Sequence, residues 1–303
     1  MKVVIFVKRH AYLIIAHQHF DMLQRLIRAL DSEHADFYIH IDRRVKDVDE
    51  ARLLGALKAS KGRIFRKYKL SWGADTQVRC EMLLLGQAVR TGYDYYHLLS
   101  GVDIPLKRRE EIEAFFEDRD ESFIEFVKHA DTEAPERARY YYPLQNLIGR
   151  PKKNAGIRYA LLDQLSYELV KIQKLLRMDR TKGAPFAYQR GSQWFSISHE
   201  LADYVIRNEK TVRRYFYHAL ASDEMVMQCM AMASPCKDSV VRSNLRLIDW
   251  VRTEHDGCSP HTFTMDDWDM LTASDRLFAR KFDPAIDAQV IDALYRRLEG
   301  ADE

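Results

Sequence analysis

Apolar positions in the first hundred residues switch between two spacings. Tyr12-Leu13-Ile14-Ile15-Ala16-His17 is a short apolar run ending in polar residues, which predicts a strand, and Met22, Leu23, Leu26, Ile27 and Leu30 then recur at helical spacing. A second strand pattern, Asp36-Phe37-Tyr38-Ile39-His40-Ile41, stops at Asp42. This β-α-β order predicts parallel strands joined by a right-handed crossover. It sets Ala16-His17 and Asp42 side by side at the carboxyl ends of neighbouring strands, where open α/β sheets bind ligands. Ile64-Phe65-Arg66 predicts a third strand and Thr76 to Arg90 a helix. A fourth strand, Tyr95 to Ser100, runs into Gly101-Val102-Asp103-Ile104-Pro105, so another strand end carries an acid.

Phe123-Ile124-Glu125-Phe126 reads as one more short strand, after which the pattern changes. Residues 133–182 are first rich in Arg and Tyr and then helical through Leu161, Leu162, Leu165, Leu169, Ile172 and Leu175, with Pro and Gly at both edges. They read as a helical insertion in a single domain spanning residues 1–303. Mixed structure returns at Trp194-Phe195-Ser196-Ile197-Ser198. A helix is predicted from His199, and another starting at Ser222 with Asp223 and Glu224 in its first turn. The expected class is α/β, with a mixed, mostly parallel sheet flanked by helices.

Composition narrows the function. Lys plus Arg number 47 against 45 Asp plus Glu, a formal charge of +2, which argues against a protein built to coat nucleic acid. Cys80, Cys229, Cys236 and Cys258 show no paired spacing, and Met1 leads directly into a strand pattern without a charged-then-apolar leader, so a reduced, cytoplasmic setting is expected. No run approaches the ~18 uncharged residues of a membrane span. The turn after the first strand holds no glycine, which disfavours a dinucleotide-binding oxidoreductase. The absence of a Gly-x-x-x-x-Gly-Lys loop and of a Gly-x-Ser-x-Gly elbow disfavours the common nucleoside triphosphatases and α/β-hydrolases.

His255, Cys258 and His261 have a passable metal-ligand spacing but no evident fourth ligand. Asp47/Asp49, Asp118/Asp120 and Asp267/Asp269 match Asp-x-Asp formally, yet none follows an apolar strand, so no divalent metal is expected. Asp223-Glu224 is the carboxylate pair of most interest; its plainer role is to complement a helix dipole. Trp72, Trp194 and Trp250 lie near Gly, Ser or Asp, where an indole stacks on a sugar or base, or else simply fills a core. Arg280 and Lys281, bracketed by Leu277-Phe278-Ala279 and Phe282, are either a solvated pair or two fixed cations able to neutralise a leaving nucleoside diphosphate without a metal.

Eight segments in order over about 270 residues resemble the core-2/I-branching N-acetylglucosaminyltransferase and peptide O-xylosyltransferase family, glycosyltransferase family 14. They are Ile15-Ala16-His17, His40-Ile41-Asp42, Leu70-Ser71-Trp72-Gly73, Leu98 to Pro105, Gly191-Ser192-Gln193-Trp194-Phe195, Ser222-Asp223-Glu224, Ser259-Pro260 and Phe278-Ala279-Arg280-Lys281-Phe282. The resemblance implies a GT-A type fold and an inverting, metal-independent transfer from a UDP-sugar. It makes Glu224 the general base, and Arg280 and Lys281 the cations on the departing diphosphate. Ala16, Asp42, Ser71 and Trp72 fall on the uridine and ribose side, with His17 and Asp103 at the same strand ends. Gln193, Trp194 and Ser259 fall near the donor sugar and phosphates, and Glu125, Arg137 and Trp250 near the acceptor.

Two positions depart from the family: its xylosyltransferases have an acid where this chain has Gln193, and its branching enzymes have an arginine near the position of Cys258 or Ser259. The anchor and disulfide cysteines of animal members are missing, which points to a bacterial-type cytoplasmic enzyme. Its acceptor is then expected to be a glycan or lipid-linked glycan of a surface polysaccharide. A non-catalytic carbohydrate- or nucleotide-binding protein is the rival class, disfavoured because Glu224, Arg280 and Lys281 are all retained. Arg150, Lys152, Lys153 and Arg158, followed by Lys171, Lys174, Arg177 and Arg180, read first as the solvated cationic face of a packed helix, with contact with an anionic membrane surface as the alternative.

Overall fold

A computed structural model describes residues 7–127, 133–150, 156–252 and 259–300. The chain opens with β1 (His10–Ala16), α1 (Phe20–Ala29), β2 (Ala35–Ile41), α2 (Glu50–Leu54), β3 (Lys61–Phe65), α3 (Thr76–Val89) and β4 (Tyr95–Ser100). There follow β5 (Ile104–Pro105), α4 (Arg109–Glu117), β6 (Ser122–Ile124), α5 (Glu133–Arg139), α6 (Gln145–Ile148) and α7 (Ile157–Leu175). The remainder supplies β7 (Phe195–Ser198), α8 (His199–Arg207), α9 (Glu209–Phe216), α10 (Val226–Ala233), β8 (Val240–Val241), β9 (Arg246–Ile248), α11 (Trp268–Ala273), β10 (Phe278–Arg280) and α12 (Ala288–Leu298).

Seven strands form the main sheet in the order β3-β2-β1-β4-β7-β6-β8, and β5-β10-β9 form a small second sheet. β7 runs antiparallel to β4 and β6, while the pairs β3-β2, β2-β1, β1-β4 and β6-β8 are parallel. The sheet is thus mixed and mostly parallel, as expected. Ala16 pairs with Ile41, and Asp42 N donates to Ala16 O at 2.9 Å, which brings the first two strand ends together. β1 begins at His10 and ends at Ala16, so His17 lies just past it.

Side chains alternate across β1 and feed two cores. Ala11, Leu13 and Ile15 pack with Val78 and Leu84 of α3 and Leu201 of α8. Tyr12, Ile14 and Ala16 pack with Leu23, Leu26 and Ile27 of α1 and Phe116 of α4. Burial on both faces explains the unbroken apolar run in the sequence. A third cluster, including Ile104, Phe263, Ala279, Phe282 and Leu294, supports the small sheet.

Arg246 ties the two sheets together. It is 4% exposed, and its Nη2 donates to Leu98 O at 3.1 Å and Phe195 O at 2.7 Å, while Nη1 donates to Ser196 Oγ at 2.8 Å. Burial lowers the guanidinium to about 9. A buried cation is tolerated here because the carbonyls of Leu98 within β4 and Phe195 at the start of β7 accept from Nη2.

Two local expectations change. Ser222-Asp223-Glu224 is a single 3-10 turn, entered through left-handed Ala221 (φ 46), and α10 begins only at Val226. The two acids therefore do not occupy the first turn of an α-helix. The second change concerns α7, which turns its apolar side outward. Its buried residues are Ser166 and Gln173, while Leu161, Leu165, Ile172 and Leu175 are 50–82% exposed. Gln173 holds the inner face by a reciprocal pair, accepting from Tyr141 N at 2.8 Å and donating to Tyr141 O at 2.9 Å.

Candidate active site

A cavity of about 750 Å³ opens at the carboxyl ends of β1 and β4. Ala16, His17, Trp72, Glu125, Arg137, Gln193, Trp194, Glu224, Trp250, Ser259 and Arg280, eleven of the residues singled out from sequence, line it. A larger cleft of about 880 Å³, lined by residues such as Lys107, Arg108, Trp268 and Arg297, gathers none of them. The smaller cavity is therefore the candidate site.

Close backbone approaches shape its walls. A Cβ on Gly101 would lie 2.9 Å from Ala16 Cβ, and one on Gly191 would lie 1.8 Å from Glu125 O, so glycine is required at both places. Gly191 N also donates to Glu224 O at 2.9 Å, and Ala221 N to Gly73 O at 2.8 Å. The 3-10 turn is thereby fixed between the residue 191 loop and the loop carrying Trp72. On that turn Glu224 Oε2 accepts from Arg137 Nη1 at 2.7 Å. The neighbouring Asp223 has Oδ1 closed off without a hydrogen-bond partner, and burial, reinforced by the Glu224 charge, pushes its carboxyl up to about 7.

Across the site, the Arg280 guanidinium lies 4.0 Å over the Trp194 ring, and its Nε is 3.8 Å from Asp103 Oδ1. Its Nε and Nη1 are buried and make no hydrogen bond among the described residues. Burial lowers its pKa while Asp103 opposes that shift. Arg280 lines the cavity, and a cation there suits an anionic ligand.

Four residues expected at the site, Asp42, Ser71, Asp103 and Lys281, are not among those that line the cavity. Asp42 is 2% exposed, with its oxygens taken by Arg44 N at 2.8 Å, Arg44 Nε at 3.0 Å, Arg44 Nη2 at 2.7 Å and Leu70 N at 2.9 Å. Ser71 Oγ donates to Asn146 O at 2.8 Å. Asp103, 1% exposed, accepts from Ser100 N at 2.9 Å and Ser100 Oγ at 2.6 Å. Lys281 Nζ reaches Ser259 Oγ at 2.9 Å, so its charge sits behind a residue that does line the cavity. Asp42 and Asp103 are buried with their oxygens already engaged, while Ser71 and Lys281 are partly exposed.

Sequence reasoning missed Gln77 and Arg190, which also line the cavity. It also missed Glu81, which sits buried beneath Gln193. The helical phase of α3 was the signal for Gln77 and Glu81, which are one turn apart on one face; Arg190 lies outside any helix or strand. His255 and Cys258 of the notional metal triplet lie outside the described residues, and His261 Nε2 instead pairs with Asp267 Oδ2 at 3.0 Å. Among the described residues no group of three or more His, Cys, Asp or Glu is clustered to hold a metal ion. Asp49 caps α2 by accepting from Arg52 N at 2.8 Å, and Asp120 pairs with Lys8 at 2.7 Å.

Of the cations considered for a solvated face or a membrane surface, Arg180 is turned inward: its Nη2 donates to Tyr217 O at 2.8 Å and Arg214 O at 2.9 Å. Arg150 lines the cavity, and Lys152 and Lys153 lie outside the described residues. Arg158, Lys171, Lys174 and Arg177 are exposed. Among the described residues no helix is long and apolar enough to cross a membrane.

A family model described as Core-2/I-Branching enzyme matches residues 10–276. Xylosyltransferase 2 of Rattus norvegicus is 25% identical over 320 residues, covering 97% of this chain and 34% of that protein. Xylosyltransferase 1 of Mus musculus is 24% identical over 315 residues, covering 96% of this chain and 31% of that protein. The chain thus spans about a third of the length of the curated relatives it matches. A solved structure, mouse xyloside xylosyltransferase 1 in its apo form, aligns over 89% of this chain at 10% identity with a TM-score of 0.37, too low to carry an argument.

Proposed function

The chain belongs to the core-2/I-branching enzyme family, and from that premise we propose that it is a UDP-sugar-dependent glycosyltransferase of GT-A type. It moves N-acetylglucosamine or xylose to a hydroxyl of a glycan or lipid-linked glycan, with inversion and without a metal. The observation that carries this reading is Arg280, a cation that lines the same cavity as Glu224. A cation and a carboxylate lining one cavity are what a displacement with an anionic leaving group needs.

In this reaction Glu224 takes the proton from the acceptor hydroxyl as its oxygen attacks the anomeric carbon. The bond from that carbon to the diphosphate breaks on the opposite face, and its electron pair passes to the diphosphate oxygen, giving UDP. Arg280 meets the charge that develops there, with Lys281 adding positive potential from behind Ser259. Arg137 fixes one oxygen of Glu224, leaving the other for the acceptor. Trp250, 50% exposed at the rim, offers an indole face to the incoming glycan.

The acceptor belongs, in this reading, to a bacterial surface polysaccharide made at the inner face of the membrane. The support is α7, whose exposed leucines and isoleucines lie beside the exposed Arg158, Lys171, Lys174 and Arg177, a composition that suits an anionic lipid surface. The test of the function is release of UDP from UDP-N-acetylglucosamine and UDP-xylose with varied glycan acceptors. Failure of every UDP-sugar and of UDP itself to raise the thermal midpoint would overturn the reading, because a ligand at 100 times its Kd adds about 2.7 kcal/mol.

A further inference from the structure

Glu81 is an acidic residue of α3 with no part in the steps above, yet it is 3% exposed and lies directly behind the cavity. Its Oε1 accepts a hydrogen bond from Gln193 Nε2 at 2.7 Å. This is the side-chain bond that either group makes among the described residues, so Gln193 Oε1 is left without a partner. Burial and the nearby Asp223 raise the Glu81 carboxyl well above the ordinary range; a neutral carboxyl still accepts through its carbonyl oxygen. Gln193 lines the cavity, and an unpaired carbonyl oxygen there suits an O–H or N–H donor of a ligand.

Resting on the nucleotide-sugar reading above, we propose that Glu81 is a positioning residue: by taking the Gln193 N–H it turns the Gln193 carbonyl into the cavity. That carbonyl recognises a hydroxyl or amide donor of the transferred sugar. The role is separate from holding the nucleotide, whose diphosphate is assigned to Arg280.

The test is calorimetric titration, without acceptor, of UDP, UDP-N-acetylglucosamine and UDP-xylose into the wild type, Glu81→Ala, Glu81→Gln, Gln193→Ala and the Glu81→Ala/Gln193→Ala double variant. Glu81→Met, which fills a similar volume, replaces the alanine variant if that one does not fold. Loss of Glu81 is expected to weaken at least one UDP-sugar about tenfold and leave UDP unchanged. Glu81→Gln keeps an accepting oxygen and restores most of the affinity, and removing Glu81 from the Gln193→Ala protein costs nothing more. The proposal is overturned if UDP and UDP-sugars weaken alike, if Glu81→Gln is as weak as Glu81→Ala, or if the full loss persists without Gln193. Absence of UDP binding in the wild type would instead overturn the nucleotide-sugar reading itself.

Discussion

Arg137 Nη1 donates to Glu224 Oε2 at 2.7 Å, joining α5 to the 3-10 turn at the cavity wall. Both side chains are partly exposed, at 24% and 38%, so the pair adds little to stability. Its value is orientation. Glu224→Gln is expected to lower transfer by ~10²- to 10⁴-fold while UDP binding stays nearly unchanged, since the amide keeps the shape and loses the basicity. Arg137→Ala should lower turnover less severely. Near wild-type turnover in Glu224→Gln would require another base, and Asp103, closed off beneath Ser100, is poorly placed to serve.

Activity is expected to survive excess EDTA, because Arg280 supplies positive charge where a metal otherwise would. Arg280→Met should reduce kcat by about 10²-fold or more, the scale seen when a donor to a developing anion is removed. Assays with EDTA, with and without added Mn²⁺ or Mg²⁺, decide the point. Turnover lost to the chelator and recovered only with metal would refute the metal-free mechanism.

Asp223 gives stability a pH dependence of definite sign. Its carboxyl rises from an ordinary 3.8 to about 7 in the folded protein. Between these values the folded state keeps a proton that the unfolded chain has released, so this group's contribution to stability falls as pH rises through that window and is flat above it. Asp223→Asn should remove the slope. Urea midpoints at pH 4 to 8 are expected to favour the variant increasingly up to about pH 7; a constant offset would show that Asp223 does not titrate there.

α7 should bind anionic vesicles reversibly. Each exposed cation near such a surface is worth about 1 kcal/mol, which gives attachment that salt removes. Co-sedimentation with phosphatidylserine vesicles at low salt, abolished at high salt and weakened by Leu161→Ser/Leu165→Ser, is the expected result. Equal recovery with neutral and anionic vesicles would leave the apolar face without this role.

The main sheet was legible because β1, β2 and β4 are buried on both faces and so appear as continuous apolar runs with polar ends. The same logic located Ala16 beside Asp42, but could not say that Arg44 and Leu70 would consume the Asp42 carboxylate, since those partners depend on loop paths. The turn before Glu224 was read as a helix start because left-handed Ala221 carries no glycine to announce it. Glu81 and Arg246 were passed over for a different reason. Charged residues amid apolar neighbours ordinarily face solvent, and only tertiary contacts bury these two. On α7 the periodicity gave the helix but not its direction, because the polar pairing of Gln173 with Tyr141 decides which side faces in.

The small sheet draws β5, β9 and β10 from three distant stretches of chain, and Arg280 follows Glu224 by 56 positions. During synthesis Glu224 and every strand of the main sheet leave the ribosome before Arg280 does. A chain that ends between β9 and β10 therefore keeps the proposed base and all seven strands but lacks the cation that the proposed reaction sets against the diphosphate.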